Sequence, residues 1–384
     1  MDNKYLEDLI LETKSRGGGM MLSLEGKPEI VVLLIEEYNK LISSHKNPMQ
    51  TQIAEDVNSF SGKVLVTGGA GYIGSHVVEE LVSSGYEVVI VDNLSAGKRE
   101  NLHPGAKFYE GDIKDLNFLR DVFATEKISA VMHFAASIEV AESVKEPEKY
   151  LENNVTNTAR LLVAMKEAGV NKIVFSSTAA VYGEQEKMPI AETAPVRPNN
   201  PYGFSKLLAE KTIKYFCQFA GFEGIVFRYF NACGCRPDGS VLPTHHSHLV
   251  DNVMEVAAGR KQSVEVFGND FSTFDGTGVR DYVHVKDIAG AHVEALKHFS
   301  GDNYQVFNIG TGKGLSVLEI IHSASEVLNK IIPMEMSSRR PGDAAETVAD
   351  NSKIFKAWNF KPQYSDLENI LKSAWKQKLA SLKQ

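Results

Sequence analysis

A tyrosine and a lysine four residues apart are the side chains best suited to moving a proton in this sequence. Tyr202 and Lys206 stand in the segment PYGFSK (201–206), and in a helix this spacing places both side chains on one face. A phenol must lose roughly three pKa units, or about 4 kcal/mol, to act as a base near neutrality. A lysine ammonium alongside it favours that shift. Such pairs also occur by chance on solvated helices, so the pair alone leaves both interpretations open.

A run of hydroxyl side chains precedes this pair. Ser176, Ser177 and Thr178 follow a short apolar run that is typical of a strand. A hydroxyl at the end of a sheet strand can hydrogen-bond an oxygen of a substrate. Together with Tyr202 and Lys206, it indicates a reductase-type site.

A glycine-rich turn indicates what such a site would use. The segment TGGAGYIG (67–74) follows an apolar strand and opens a helix, so Gly68, Gly71 and Gly74 allow a pyrophosphate to approach the helix N-terminus. Asp92 ends the next strand, where a carboxylate can accept both hydroxyls of an adenosine ribose and repels a 2′-phosphate. We therefore predict NAD rather than NADP as the cofactor, and its positive nicotinamide would be a second cation beside Tyr202. The alternative is a purely structural glycine turn.

The elements that must position these residues alternate between strands and helices. This alternation is typical of βαβ units and predicts an α/β fold with a doubly wound parallel sheet, the Rossmann arrangement. The predicted strands are 63–69, 86–93, 107–110, 130–135, 172–176 and 224–228, with helices from about 72 and at 158–168. We predict a Rossmann part at 62–235 and a smaller substrate-binding α/β part at 236–384, interleaved with the Rossmann sheet.

Composition excludes several classes of protein. The chain has 384 residues, 43% of them apolar and 23% charged, which is typical of a globular protein rather than a disordered, fibrous or membrane one. The net charge of −8 argues against binding to nucleic acid or acidic lipid. The first residues lack a secretory signal, and the apolar run 30–35 is too short to span a bilayer. Three cysteines, Cys217, Cys233 and Cys235, suit a reducing cytoplasm and are expected to be buried or incidental.

The first 48 residues form a predicted small α+β extension, joined to the rest by a linker at 49–61. We predict a helix at 3–16, strands at 20–24 and 29–34, and a helix ending near Ser43. Residues 1–48 weakly resemble prevent-host-death-type antitoxins, a family that dimerises and binds operator DNA. Residues 1–60 carry six Lys and Arg against ten Asp and Glu, a poor balance for phosphate contacts. The alternative is a segment that dimerises, docks on the rest of the chain or has no role.

Two further clusters have structural interpretations. Gly310, Gly312 and Gly314 lack the spacing of a Walker loop and are expected to form a strand-to-helix turn. His245, His246 and His248 lack an accompanying carboxylate or cysteine set, so we predict no metal site.

Beyond these physical arguments, residues 62–376 resemble the extended short-chain dehydrogenase/reductase family and, within it, the UDP-hexose 4-epimerases. The resemblance runs through TGGAGYIGS, VDNLSAG, GDI (111–113), HFAA (133–136), NNV (153–155), PYGFSK, RYFNACG (228–234), FGND (267–270) and RRPGD (339–343). It implies NAD-dependent inversion at C4 of UDP-glucose or UDP-galactose through a transient 4-keto sugar. It also implies a homodimer formed through a pair of helices from each subunit. A related pentose or uronate epimerase and a non-catalytic NAD-binding regulator remain alternatives.

The resemblance also implies roles for individual residues. Tyr202 would be the base and acid, Lys206 would lower its pKa and hold the nicotinamide ribose, and Thr178 would contact the substrate. The implied cofactor-binding residues are Gly68, Gly71, Tyr72, Ile73, Gly74, Asp92, Asn93, Asp112, Ile113, Phe134, Ala135, Ala136, Asn154, Lys206 and Tyr229. The implied substrate-binding residues are Thr178, Tyr202, Asn231, Leu249, Phe267, Arg280, Arg340 and Asp343.

Five positions separate this chain from relatives. Ala179 and Ala180 stand where dehydratases of nucleotide sugars carry an Asp-Glu pair, which favours simple epimerisation. Ile138 and Glu139 stand where some members place a Lys near the cofactor pyrophosphate. Thr347 occupies a position where a bulky Tyr restricts the sugar pocket in some members. We therefore expect UDP-GlcNAc and UDP-GalNAc to be accepted as well.

Overall fold

The computed structural model describes residues 60–236, 239–241, 248–299, 303–340 and 342–382, together with two strands nearer the start of the chain. The chain divides between Ser59 and Phe60 into two units. In the first unit, β1 (Met20–Leu24) pairs antiparallel with β2 (Lys27–Val32). The predicted strand at 20–24 is confirmed, whereas the second begins at Lys27 instead of residue 29, because Lys27 and Pro28 pair with the irregular end of β1. The predicted helices at 3–16 and before Ser43, and the predicted linker up to residue 59, lie outside the described residues.

The second unit alternates strands and helices. Its strands are β3 (Lys63–Thr67), β4 (Val88–Asp92), β5 (Lys107–Glu110), β6 (Ile128–His133), β7 (Lys172–Thr178), β8 (Glu223–Tyr229), β9 (Asn231–Cys233), β10 (Val264–Phe267), β11 (Val279–Arg280), β12 (Tyr282–His284), β13 (Tyr304–Ile309), β14 (Leu315–Ser316), β15 (Met334–Ser337) and β16 (Glu346–Thr347). Its helices are α1 (Tyr72–Ser83), α2 (Leu116–Glu126), α3 (Val140–Lys145), α4 (Pro147–Leu151), α5 (Asn157–Glu167), α6 (Pro201–Ala220), α7 (Leu249–Ala257), α8 (Val285–Ala295), α9 (Val317–Leu328), α10 (Ser352–Trp358) and α11 (Leu367–Ser381).

Seven of these strands form one parallel sheet in the order β13-β8-β7-β6-β3-β4-β5. The predicted doubly wound sheet is confirmed, and each predicted strand is present, 107–110 with the predicted bounds and the others with ends moved by one or two residues. The prediction missed β13, which comes from the C-terminal part and pairs in parallel with β8. Because neighbouring strands run in parallel, their carboxyl ends share one edge of the sheet, where ligands bind in this architecture.

The sheet is apolar on both faces, as a parallel sheet covered by helices requires. Helices α1 and α8 bury one face, with residues such as Val77 and Ile288. Helices α2, α5 and α6 bury the other, where Cys217 also lies. All three cysteines are buried, as predicted.

Most of the C-terminal part packs around a core of its own. Helices α7, α9 and α11 enclose it with β10, and three small sheets, β10-β15, β14-β11-β16 and β12-β9, lie in this part. In the part of the chain that the structure describes, no helix is long and apolar enough to cross a membrane.

Candidate active site

A cavity of about 1050 Å³ lies at the carboxyl edge of the main sheet. Its wall includes the glycine turn after β3, Asp92 at the end of β4, Thr178 at the end of β7, and Tyr202 and Lys206 of α6. The residues singled out for their chemistry therefore meet in one space. The wall continues to residues of the C-terminal part, including Arg280 and Asp343.

The glycine turn has room only for glycine at two positions. Gly68 has φ +75, and a Cβ there would lie 2.7 Å from the amide nitrogen of Ala135; a Cβ on Gly74 would lie 2.2 Å from the carbonyl oxygen of Gly68. The turn closes through a 3.1 Å hydrogen bond from the Gly71 amide to the Gly68 carbonyl oxygen. Helix α1 then begins at Tyr72, and its N-cap residue, Gly71, has no side chain to cover the first amides. The helix N-terminus is thus open to an anion from the cavity.

Asp92 forms the wall beyond this turn. Its buried carboxylate accepts hydrogen bonds from the amides of Ala70 (3.0 Å) and Leu94 (2.9 Å). Burial raises the pKa of Asp92, and the two amide hydrogen bonds oppose that shift. Nearby, Asn93 donates to Asp112 at 3.0 Å, and both line the cavity. A glycine cradle that a Cβ would fill, followed by a fixed carboxylate at the next strand end, fits NAD.

Helix α6 positions the tyrosine and the lysine. The side chain of Asn200 caps its N-terminus by accepting from the Gly203 amide at 2.8 Å, and Pro201 starts the first turn. Tyr202 therefore lies in the first turn, and Lys206 lies one turn later on the same face. The Lys206 ammonium donates to the carbonyl oxygen of Ser176 at 2.8 Å and lies 4.8 Å from the centre of the Phe175 ring.

Burial shifts the pKa values of both groups toward their neutral forms. It raises the pKa of Tyr202 to about 12, against a hydrogen bond to Thr178 that lowers it, while the Glu139 carboxylate raises it further. Burial lowers the pKa of Lys206 to about 7, and the negative charge of Glu210 opposes this shift. Tyr202 is thus a protonated phenol near neutrality, and a further positive charge entering the cavity beside it would favour ionisation.

Most of the remaining residues that were predicted to bind the cofactor line the cavity, and one lies behind the cavity wall. Phe134, Ala135, Ala136, Ile73, Ile113 and Tyr229 line the cavity. Asn154 does not: its side-chain amide joins Ser137 to Ser205, accepting from the Ser137 amide at 2.8 Å and donating to Ser205 Oγ at 3.0 Å. The π-helical turn Glu152–Thr156 turns the neighbouring Asn153 toward the cavity instead.

The structure brings only some of the substrate candidates to the cavity. Asn231, Leu249, Arg280 and Asp343 line it, whereas Phe267 and Arg340 do not. Arg340 pairs with Asp343 at 2.9 Å, and its guanidinium lies 4.6 Å from the centre of the Phe267 ring. These two side chains therefore stack on each other beside the Asp343 wall. Burial lowers the pKa of Arg280, and the Asp343 charge opposes that shift.

Sequence reasoning missed several lining residues. They are Ser95, Ala96, Gly97, Asn199, Asn200, Phe230, Tyr282 and Gln377. Asn199 and Asn200 directly precede the PYGFSK segment, which is a signal that could have found them. Nothing local marks Gln377, which α11 brings from near the end of the chain. Ile138, Glu139 and Thr347, the points of difference from relatives, also line the cavity.

The structure places the glycine cluster at 310–314 and one residue of the histidine cluster. The turn at 310–314 joins β13 to β14 and α9, as predicted, and the Asp281 carboxylate accepts from the amides of Thr311 (2.8 Å) and Gly312 (2.9 Å). Its amides are therefore already occupied. The residues that the structure describes contain no group of three or more side chains suited to a metal ion. His248 lines the cavity, whereas His245 and His246 lie outside the described residues.

Comparison with known proteins extends this geometry. Residues 64–310 match the NAD dependent epimerase/dehydratase family. A UDP-glucose 4-epimerase from Lacticaseibacillus casei is 46% identical over 315 residues, which cover 81% of this chain and 95% of that protein.

Two solved structures are similar to the chain as well. A UDP-glucose 4-epimerase from Stenotrophomonas maltophila, with bound NAD and formylated UDP-arabinopyranose, has a TM-score of 0.81 and 38% identity and covers 84% of this chain and 99% of its own. The UDP-Glc/GlcNAc 4-epimerase from Campylobacter jejuni has a TM-score of 0.74 and 38% identity, with 83% of this chain and 100% of its own covered.

Proposed function

The chain belongs to the NAD dependent epimerase/dehydratase family, and on that basis we propose that it interconverts the C4 epimers of a UDP-hexose. One observation carries the proposal. Thr178, Tyr202 and Lys206 meet in the same cavity as the glycine turn and the Asp92 carboxylate. Proton transfer and dinucleotide binding therefore share one site.

The reaction needs a proton acceptor and a hydride acceptor at the same carbon. NAD⁺, which the glycine turn and Asp92 would hold, would supply the hydride acceptor and later the hydride donor, and its positive ring would favour ionisation of the phenol. Tyr202 Oη takes the proton of the C4 hydroxyl as the C4–H bond breaks, which leaves a 4-keto sugar. Tyr202 then gives the proton back to O4 as the other face of C4 is reduced, and this would give the epimer and restore every group.

Lys206 and Thr178 prepare Tyr202 for this task. The Lys206 ammonium is fixed by the Ser176 carbonyl oxygen one helical turn from the phenol, where its positive charge stabilises a phenolate. The Thr178 hydroxyl hydrogen-bonds the phenol and lowers its pKa. Ala179 and Ala180 follow Thr178 on the cavity wall. Neither can donate or accept a proton, which favours inversion over elimination.

The nucleotide and the sugar need different kinds of binding. Arg280 on the cavity wall can bind a diphosphate by charge-assisted hydrogen bonds, and Asp343 can accept from a ribose hydroxyl. The sugar must turn over between the two hydride transfers. Strong contacts to the UDP half would hold the substrate, and few contacts to the hexose would let it turn over. Binding the hexose equally tightly in the ground state and the transition state would not speed the chemical steps.

The substrate range follows from Thr347. This small side chain lines the cavity, and the similar C. jejuni enzyme is named for both UDP-Glc and UDP-GlcNAc. We therefore propose that UDP-GlcNAc and UDP-GalNAc are substrates as well as UDP-glucose and UDP-galactose. Turnover of the two plain hexoses alone would contradict this part of the proposal.

A second copy of the chain is the proposed partner. Helix α6 exposes Phe204, Tyr215 and Phe219, with Phe219 73% exposed, and Val163 of the neighbouring α5 is also exposed. Pairing these apolar faces would bury them in a homodimer. Light scattering should give twice the monomer mass, and Phe219→Glu should lower it. The three buried free thiols support a cytoplasmic location.

The test of the reaction is direct. Purified protein is incubated with UDP-galactose, and separately with UDP-GalNAc, without added NAD⁺, and the products are separated by chromatography. Conversion to the C4 epimers with cofactor retained from expression supports the proposal. Absence of conversion with NAD⁺ added in excess would refute it.

A further inference from the structure

Three side chains on one face of α6 interact with residues at the end of β7. The first two are Tyr202, whose pKa the Thr178 side chain lowers, and Lys206, whose ammonium donates to the Ser176 carbonyl oxygen. The third is Glu210, four residues after Lys206 and therefore on the same face of the helix. It lies outside the cavity wall, and the mechanism above does not use it.

Glu210 is fixed by two partners. Its Oε1 accepts from Ser177 Oγ at 2.5 Å and from Arg228 Nε at 3.0 Å, and its Oε2 accepts from an Arg228 terminal nitrogen at 2.6 Å. Glu210 and Arg228 are only 2% and 6% exposed. The Arg228 guanidinium lies 4.8 Å from the centre of the Tyr182 ring, which holds it from another side. The pair therefore has one geometry, set by β7 and β8 together.

The charge of Glu210 acts on Lys206. The other titratable or charged groups near Lys206 include Tyr202 on its own helix, His133 on β6, Tyr229 on the same cavity wall and Arg228 of β8, which pairs with Glu210. Burial lowers the pKa of His133 to about 3 and raises the pKa of Tyr229 well above its usual value, so both are neutral near pH 7. Burial lowers the pKa of Lys206 to about 7, and Glu210 is the group that opposes this loss.

We propose that Glu210 is a positioning residue for the reaction: fixed by Arg228 one helical turn beyond Lys206, its carboxylate keeps the Lys206 ammonium charged behind Tyr202. The inference rests on the proposed function for its catalytic meaning. The electrostatic part can be measured without turnover.

The direct test follows the Lys206 side chain by NMR. Lysine labelled with ¹³C at Cε reports protonation, and the Lys206 resonance is the one that disappears in Lys206→Met. In Glu210→Gln we expect the midpoint of its titration to fall by about one pH unit. Ser177→Ala removes one hydrogen bond to the same carboxylate but leaves its charge, so its midpoint should match that of the unsubstituted protein. An unmoved midpoint in Glu210→Gln would overturn the proposal.

The kinetic test asks whether the same shift reaches catalysis. In the UDP-galactose assay, the alkaline limb of the kcat–pH profile should fall by the same amount in Glu210→Gln and stay in place in Ser177→Ala. A uniform loss of kcat with both limbs unmoved would show a merely structural role. If the unsubstituted protein does not turn over UDP-galactose, the proposed function fails while the NMR result still stands.

A folding defect in Glu210→Gln would have a clear cause, since Arg228 would be left buried without its partner. The double variant Glu210→Gln/Arg228→Met removes both charges together. Because loss of the positive Arg228 charge opposes loss of the Glu210 charge, we expect the Lys206 midpoint to fall less than in Glu210→Gln, and a midpoint that rises would overturn the proposal.

Discussion

The two ends of the cavity are built from different kinds of contact. Behind the catalytic end, the Glu210–Arg228 pair has side chains only 2% and 7% exposed and joins the main sheet to α6. At the nucleotide end, the Arg340–Asp343 pair has side chains 58% and 26% exposed and lies in the loop before the two-residue strand β16. Buried pairs in a large sheet keep one geometry, whereas exposed pairs on loops open at low cost. The difference suits the proposed function, in which proton transfer needs a fixed geometry and the nucleotide sugar must leave after each turnover.

The largest expected effect tests the catalytic end alone. Tyr202→Phe removes the proton acceptor and should lower kcat by about 10³-fold while leaving binding of UDP almost unchanged. Steady-state kinetics and calorimetry with UDP measure the two quantities. Tyr86→Phe, at a tyrosine that does not line the cavity, is the control and should keep normal kcat. Near-normal turnover by Tyr202→Phe would remove this residue from its assigned role.

The next prediction compares two arginines at the nucleotide end, Arg280 on the cavity wall and Arg340 outside it. Arg280→Ala removes a charged group from the cavity wall and should raise KM for the nucleotide sugar by about 100-fold with a smaller change in kcat. Arg340→Ala removes an exposed partner of Asp343 and should raise KM only a few-fold, since such pairs contribute about 0.2–1 kcal/mol. Equal increases in KM for the two substitutions would contradict the distinction between Arg280 on the cavity wall and Arg340 outside it.

A smaller effect, on NAD binding, is expected at Asp92. Asp92→Asn removes the negative charge that would bind the adenosine ribose and should weaken NAD binding by about 10-fold. The NAD content of the purified protein, measured after denaturation, should fall accordingly. Asp121→Asn, at an exposed carboxylate on α2, is the matched control. An unchanged NAD content in Asp92→Asn would show that Asp92 does not bind the adenosine ribose.

The smallest expected effect is a shift in the pH dependence of kcat. The Glu139 carboxylate raises the pKa of Tyr202 by like-charge repulsion, so Glu139→Gln should lower that pKa. The acid limb of the kcat–pH profile should then move down by about half a pH unit, with activity gained on its acid side. Glu335→Gln, at an exposed carboxylate of β15, should leave the limb in place. An acid limb that moves to higher pH or stays in place in Glu139→Gln would contradict repulsion between the Glu139 carboxylate and the Tyr202 phenolate.

The fold was more predictable from sequence than the extent of the site. β3 and β4 could be predicted because short apolar runs alternate with helical spacing, and TGGAGYIG marks its own turn. β13 could not, because its residues lie among loops and its pairing with β8 joins segments about 75 residues apart in the chain. The same holds for Gln377, which reaches the cavity only through the packing of α11.

Side-chain direction was the other limit. The motif NNV indicated Asn154, but a π-helical turn directs Asn153 to the cavity and Asn154 to Ser137. Likewise RRPGD indicated both Arg340 and Asp343, and only Asp343 lines the wall. A motif fixes which residues are near one another, whereas backbone irregularities decide which of them face the ligand.

The late position of β13 has a consequence for how the protein is made. The sheet next to β8 is completed by a strand that leaves the ribosome only after β9 to β12 and two further helices have emerged. Until then, one edge of β8 has no neighbour and can pair with other chains. A nascent chain ending near residue 240 should therefore depend on chaperones or aggregate, so the gene cannot be cut there into separate cofactor and substrate halves.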